Sequence, residues 1–304
     1  MDTYTIGFFA GITTSFLWTL GSLWFSSAGK RIGSFTVNAY RILIAAVLLV
    51  ISNLILLGGF PAATSMQWVW MGLSGIVGLV FGDLTLIKAY VVAGPRLSLL
   101  VMSTSAIFAA VAAYLMLGET IEPLALLGVA VTLVGVTVAV LAENRASQHF
   151  NSRKTMIFGL SMALCGAIGQ GFGAVLSKIG MLSDPSAVLN PLAASLMRML
   201  VGGLFIWTIA ITSRRLHSIR GALDDRYGMR QTVYGSVAAP FLGVTLSLVA
   251  LASTPAGVAQ TLMSLMPIFV IPIAWVTYRQ KTGFYGIVGA VISIIGVAII
   301  SLTL

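Results

Sequence analysis

Hydrophobic residues run along this chain in long unbroken stretches rather than in short alternating bursts. A helix crossing the hydrocarbon of a bilayer needs about 20 apolar residues. The sequence supplies ten such stretches, at 5–27, 35–57, 67–91, 96–117, 123–142, 156–179, 189–212, 230–252, 256–278 and 284–303. Turn chemistry marks the joins: Gly58-Gly59-Phe60-Pro61, Gly94-Pro95-Arg96, Glu122-Pro123, Asp184-Pro185-Ser186 and Ser253-Thr254-Pro255-Ala256-Gly257. Gln231–Tyr278 carries no charge yet is too long for one crossing, so the break at Thr254-Pro255 predicts a tight hairpin. Membrane strands would alternate in hydropathy, whereas helices satisfy their own backbone in lipid. The pattern therefore predicts an all-α integral membrane protein of ten transmembrane helices.

The pattern also repeats. Laid without a gap on Gly243–Ile299, Gly82–Val138 places Met102-Ser103 on Met263-Ser264, Ile107-Phe108 on Ile268-Phe269 and Ala113-Tyr114 on Ala274-Trp275. Gly128 then falls on Gly289 and Gly135-Val136 on Gly296-Val297, while Gly7 and Gly21 of the first stretch match Gly159 and Gly173 of the sixth. We read two copies of one membrane unit: a first five-helix repeat at 1–142, a polar cytoplasmic linker at 143–155 and a second repeat at 156–304. Five is odd, so the second copy is expected to enter the membrane inverted, the two enclosing a central cavity.

Charge gives an independent check. One side of this topology holds Lys30, Arg31, Arg96, Arg145, Arg153, Lys154, Arg214, Arg215, Arg220, Arg226, Arg230, Arg279 and Lys281, and the other only Lys178. Basic loops stay in the cytoplasm, which puts both termini on the outer, periplasmic side of the cell inner membrane. Only 8% of residues are charged and 58% are hydrophobic, with mean hydropathy +1.02. A soluble domain carries about a quarter of its residues as charges, so lipid must cover most of this exterior. The net charge of +9 then belongs to topology and not to nucleic acid. The expected partners are the bilayer and a small-molecule substrate, with monomer and homodimer both open. Cys165, inside an apolar run, reads as a packing residue, and His149 and His217 read as loop residues without metal-ligand spacing. Thr3–Gly29 has no basic leader and is long enough to span, so no cleaved signal is expected. Walker A, HExxH, GxSxG and paired cysteines are lacking, so neither a cofactor, a metal nor an ATP-driven pump is expected.

Several motifs resemble the drug/metabolite transporter superfamily, in its ten-helix branch of EamA-type permeases. These are Trp18, Arg41, Gly82-Asp83, Gly94-Pro95-Arg96-Leu97-Ser98, Met102-Ser103, Leu117-Gly118-Glu119, Gly128 and Gly135-Val136, with Thr254-Pro255-Ala256-Gly257, Leu265-Met266-Pro267-Ile268, Gly289 and Gly296-Val297 in the second half. Two positions depart from the pattern: Ala106 stands where many members have proline, and Gln280 where the second half closes on glutamate. The resemblance implies a secondary transporter working by alternating access, often an exporter of amino acids, related metabolites or drugs. A facilitator or channel-like pore is the alternative, and a membrane-embedded enzyme a distant third.

Ionisable groups inside hydrocarbon are costly and so point to function. Asp83 and Arg41 lie at similar depth on consecutive helices, where they form either a structural ion pair or a switchable one that couples transport to opening. Lys88 stands nearer the cytoplasmic end and can snorkel to headgroups or take part in gating. Arg198 lacks an acidic counterpart, since Val244 occupies the place of Asp83. Its guanidinium goes to backbone carbonyls, to lipid phosphate or to a substrate carboxylate. Trp18 and Gln170 match each other near mid-membrane and, with Ser103, Gln260 and Ser264, are the polar and aromatic groups expected to line a substrate site. Each has packing or local backbone hydrogen bonding as its other reading.

Overall fold

A computed structural model describes residues 3–144, 153–278 and 284–301, and among these every regular element is a helix. We label α1 (Thr3–Ile32), α2 (Ser34–Leu56), α3 (Ser65–Val92), α4a (Pro95–Met102), α4b (Ser105–Leu117), α5 (Pro123–Asn144), α6 (Arg153–Leu182), α7 (Pro191–Thr212), α8 (Arg226–Ser253), α9a (Ala256–Met263), α9b (Met266–Tyr278) and α10 (Phe284–Ser301). Seven spans among the described residues are long and apolar enough to cross a membrane; Pro123–Val138, Ala256–Val270 and Phe284–Ile299 are apolar but shorter. Leu56, Leu115, Leu204 and Phe284 are each more than 70% exposed, the exterior of a protein solvated by lipid. This is a multi-pass membrane protein. His217 sits on a short helix, Leu216–Gly221, rather than in a loop, because Arg215 accepts the Ile219 N–H and opens a helical turn. His149, Gln280 and 145–152 of the expected linker lie outside the described residues.

Helix starts follow local chemistry. Thr64 and Gln67 exchange side-chain and backbone hydrogen bonds in a capping box that opens α3. Asn190 accepts the Leu192 N–H ahead of Pro191 at the first position of α7. Gly94, at φ +82°, turns the chain directly into Pro95, a left-handed backbone that favours glycine.

Two irregularities recur in both halves. α3 widens into a π-helix at Gly75–Gly82 and α8 at Val237–Gly243. In α8 the wide turn contains Pro240, whose missing N–H breaks the normal ladder. The helical stretches at 95–117 and 256–278 also both break, between α4a and α4b and between α9a and α9b. Pro267 is the second residue of α9b, where a missing N–H costs little. Ala106 in the matching place of α4b leaves the same break intact, so the proline is not what makes it.

The repeat read in the sequence reappears as contacts between equivalents. The Ser103 hydroxyl donates to the Ser264 carbonyl at 3.2 Å, and the Ser293 hydroxyl to the Thr132 carbonyl at 3.2 Å; each residue meets its own counterpart. A Cβ on Gly135 would strike Ser293 and Gly289, and one on Gly296 would strike Thr132 and Gly128. Only an antiparallel crossing of α5 and α10 gives that reciprocity, and only glycine permits it so close. Likewise Gly159 abuts Ala93 and Gly173 abuts Gly78, while Gly7 abuts Thr254 and Gly21 abuts Ala239. So α6 packs antiparallel on α3 as α1 does on α8. Each half thus lends its first helix to the other.

Candidate functional site

Where α1, α3, α6 and α8 meet, the chain encloses a cavity of about 50 Å³. At ~10–15 Å³ for each water-sized group, this conformation holds only a few such groups. Its lining comes largely in equivalent pairs: Trp18 with Gln170, Ser22 with Ala174, Asp83 with Val244, Leu86 with Ser247, Tyr90 with Leu251, and Met102 with Met263. The cavity is therefore walled by equivalent residues of both halves.

On the Asp83 side every strong polar group has a partner. Glycine pairs bring α3 and α6 together: a Cβ on Gly169 would come 2.8 Å from the Gly82 Cα. That approach carries Gln170 to Asp83, and its Nε2 donates to the carboxylate at 2.5 Å and to the Gly78 carbonyl at 3.2 Å. Arg41 pairs with the other carboxylate oxygen. Arg41 Nε donates to Asn38 Oδ1 at 2.8 Å, Asn38 Nδ2 donates to the Leu79 carbonyl at 3.2 Å, and the guanidinium lies 5.3 Å from the Phe25 ring centroid. Arg41 and Asp83 are both buried. A buried charge needs its partner and its remaining hydrogen bonds, and this pair has both.

The other side differs. Arg198 is the eighth residue of α7 as Arg41 is of α2, so the two arginines are equivalent. Arg198 is 4% exposed and reaches the cavity, but among the described residues its Nε has no hydrogen-bond partner. Val244 holds the position that Asp83 fills in the first half. Trp18 lies beside it, its indole against Gly243, where a Cβ would come 2.7 Å from the ring nitrogen. Trp18 also joins three hydrophobic clusters, so it is both wall and structural hub.

The other sequence-derived candidates divide. Gln260 lines the cavity and donates to the Ser105 hydroxyl at 2.9 Å. Ser103 and Ser264 lie instead where the breaks at 103–104 and 264–265 meet, and both hydroxyls serve backbone carbonyls there. Lys88 is exposed and away from the cavity. Residues that sequence reasoning passed over include Phe25, Asn38 and Tyr90 around the ion pair. It also missed Glu119 and Lys178 as a linked pair. Lys178 Nζ lies 2.6 Å from Glu119 and 2.6 Å from the Thr254 carbonyl, and the second Glu119 oxygen accepts the Ala256 N–H at 2.8 Å. Lys178 is one turn beyond cavity-lining Ala174, and Glu119 holds Ala256, one turn from cavity-lining Gln260, so they fasten that end. At the opposite end Ser26 stands in the place of Lys178 and, among the described residues, bonds to the Tyr90 carbonyl at 3.3 Å, while Gln280, in the place of Glu119, lies outside the described residues. Among the described residues no group of three or more His, Cys, Asp or Glu could hold a metal.

Comparison with known proteins agrees with this architecture. Residues 5–141 and 157–302 each match the model of the EamA-like transporter family. The chain is similar to the uncharacterized transporter YetK of Bacillus subtilis (strain 168), at 24% identity over 265 residues, covering 86% of this chain and 76% of that one. A solved structure described only as the crystal structure of a protein overlays with a TM-score of 0.72 at 16% identity, covering 98% of this chain and 96% of the other.

Proposed function

The chain belongs to the EamA-like transporter family, and from that premise we propose a secondary active transporter of small organic solutes, amino acids or related metabolites and drugs. It works by alternating access across the inner membrane, as an exporter. Its ten crossings form two inverted five-helix repeats, 1–142 and 156–304, joined by the linker 143–155, with both termini on the outer side. The observation that carries this reading is the cavity lined by equivalent residues of both halves. Two gates related by the repeat then come from one design, each closing the site to one side. The antiparallel contact of α5 with α10 supports inversion, and the one-sided distribution of basic loops supports the orientation.

Trp18, Gln170, Arg198 and Gln260 are the groups we assign to the solute. Ser103 and Ser264 hold the two helix breaks together beneath it. Arg41 and Asp83 hold the first half of the cavity wall in register and link solute or proton occupancy to opening; Lys88 anchors α3 at the headgroups. The test is counterflow in proteoliposomes. A carrier exchanges labelled for unlabelled solute, a channel only equilibrates it, and an enzyme alters it. Absence of counterflow for every solute in a broad metabolite panel refutes the carrier.

A further inference from the structure

Duplication gave the cavity two arginines at equivalent positions but only one aspartate. Arg41 is bonded to Asp83; Arg198 also reaches the cavity, where it feels the Asp83 charge through space without bonding to it, and among the described residues its Nε is without an acceptor. Three destinations for that guanidinium follow from sequence. Lipid phosphate is removed by burial, because only 4% of Arg198 is exposed. Backbone carbonyls do not serve its Nε, which is buried with no acceptor among the described residues. A third is left. Arginine stays charged and presents a planar fork that matches a carboxylate, and an unpaired buried cation is expensive.

We propose that Arg198 is the binding site for the carboxylate of the transported solute, which enters where Val244 has vacated the acid of the first half. The inference deepens the carrier reading and rests on it. Asp83 is bridged to Arg41 and acts on Arg198 only through space, so the three groups together leave the cavity one positive charge, and its solute is an organic monoanion or a zwitterion with a free carboxylate. Trp18, Leu251 and Met263 on the same side give an apolar and aromatic surface for the body of such a molecule. Gln260 supplies a further polar contact at the outer end of the cavity.

The test uses the full chain in nanodiscs and isothermal titration with matched pairs: phenylacetate against phenylacetamide, and N-acetylleucine against N-acetylleucinamide. Carboxylates are expected to bind at least tenfold more tightly than their amides. Val244→Asp restores the missing acid inside the protein; it is expected to weaken the carboxylates at least tenfold, to leave amides unchanged and to preserve the melting temperature. A second variant guards against misfolding. A methyl at Gly78 would fall 3.1 Å from an Arg198 amino group and in ordinary contact with Gly173 at 3.7 Å. Gly78→Ala therefore displaces the guanidinium without removing a charge, and a severalfold loss confined to carboxylates is expected. Equal binding of acids and amides, no carboxylate binding at all, or undiminished carboxylate binding in both variants overturns the proposal. Counterflow separates this from the carrier reading. Wild-type protein that prefers carboxylates but exchanges no solute defeats the carrier alone, and Val244→Asp protein exchanging a carboxylate at the wild-type rate defeats the anion site alone.

Discussion

Replacing Asp83 by asparagine keeps the shape of the side chain and removes its charge. The consequence can be worked from the contacts. Arg41 loses its carboxylate while buried, and removing one partner of a buried pair costs about 3–5 kcal/mol. Part of that is offset. Arg41 keeps Asn38 Oδ1 at 2.8 Å, a hydrogen bond of about 1 kcal/mol. It also keeps the Phe25 face at 5.3 Å, with ~0.5–2 kcal/mol from the cation–π contact. Neither is new, so they limit relaxation rather than restore the pair, and a net loss of about 2–4 kcal/mol is expected. In Arg41→Met/Asp83→Leu both charges go together. Asn38 still donates to the Leu79 carbonyl and Gln170 to the Gly78 carbonyl, so neither amide N–H is stranded; what is given up is the donor to Asn38 Oδ1 and the through-space attraction of Arg198 to Asp83. That double variant should recover to within about 1 kcal/mol of wild type. Unfolding free energies by steric trapping in bicelles, arranged as a double-mutant cycle, measure the coupling. A cost below about 1 kcal/mol for Asp83→Asn, or a double variant as unstable as the sum of the singles, refutes the account of the pair. A folded Asp83→Asn protein with unchanged proton-driven transport removes this carboxylate from coupling.

Three further outcomes are expected. Lys178→Met and Glu119→Gln should raise the alkylation rate of a cysteine placed at Gln260 severalfold, in a background without Cys165, since either releases the Lys178–Glu119 contact above the cavity; unchanged rates dismiss it as a gate. Gly135→Val forces a side chain into the α10 backbone, and overpacking of this kind costs about 1–3 kcal/mol or more; it should lower the monodisperse fraction after heating, whereas Gly59→Ala, with nothing within 4 Å, should not. The Arg31 guanidinium at 2.7 Å and the Gly228 N–H hold Asp225 below the usual carboxylate range. A depressed native value means stability present above the unfolded aspartate pKa of about 3.9 and lost as pH falls through the lower native one. Arg31→Gln should therefore shift that loss upward toward pH ~4 in melts recorded against pH.

Long apolar runs and turn residues located the helices to within a few residues, because in lipid the backbone permits little else. Depth along consecutive helices was enough to bring Arg41 to Asp83. The widened turns in α3 and α8 were not legible, since Gly75–Gly82 holds no proline and a π-helix depends on which neighbour presses against it. Glu119 stands in a sequence motif and Lys178 alone on its side of the topology, but their meeting needs the folding of α6 against the α8–α9a hairpin. Polarity at mid-membrane marks Ser103 and Ser264 as cavity walls, whereas the Ser103 hydroxyl is spent on the Ser264 carbonyl. The equivalence of Arg198 with Arg41 was hidden by the longer loop before α7, which breaks the gap-free register of the repeat. Only the helix starts, Gly33 and Asn190, restore it.

The seam formed by Ser103 with Ser264 and Thr132 with Ser293 has a consequence for how the molecule can change. A position that touches its own twin is answerable to itself, so an alteration there must suit two surroundings at once. Away from the seam each twin is released from the other and can specialise. Trp18 and Gln170, Asp83 and Val244, Lys178 and Ser26 are such divergences, and all of them border the cavity or one of its ends. Sameness holds this protein together along its middle, and difference on either side gives it something to do.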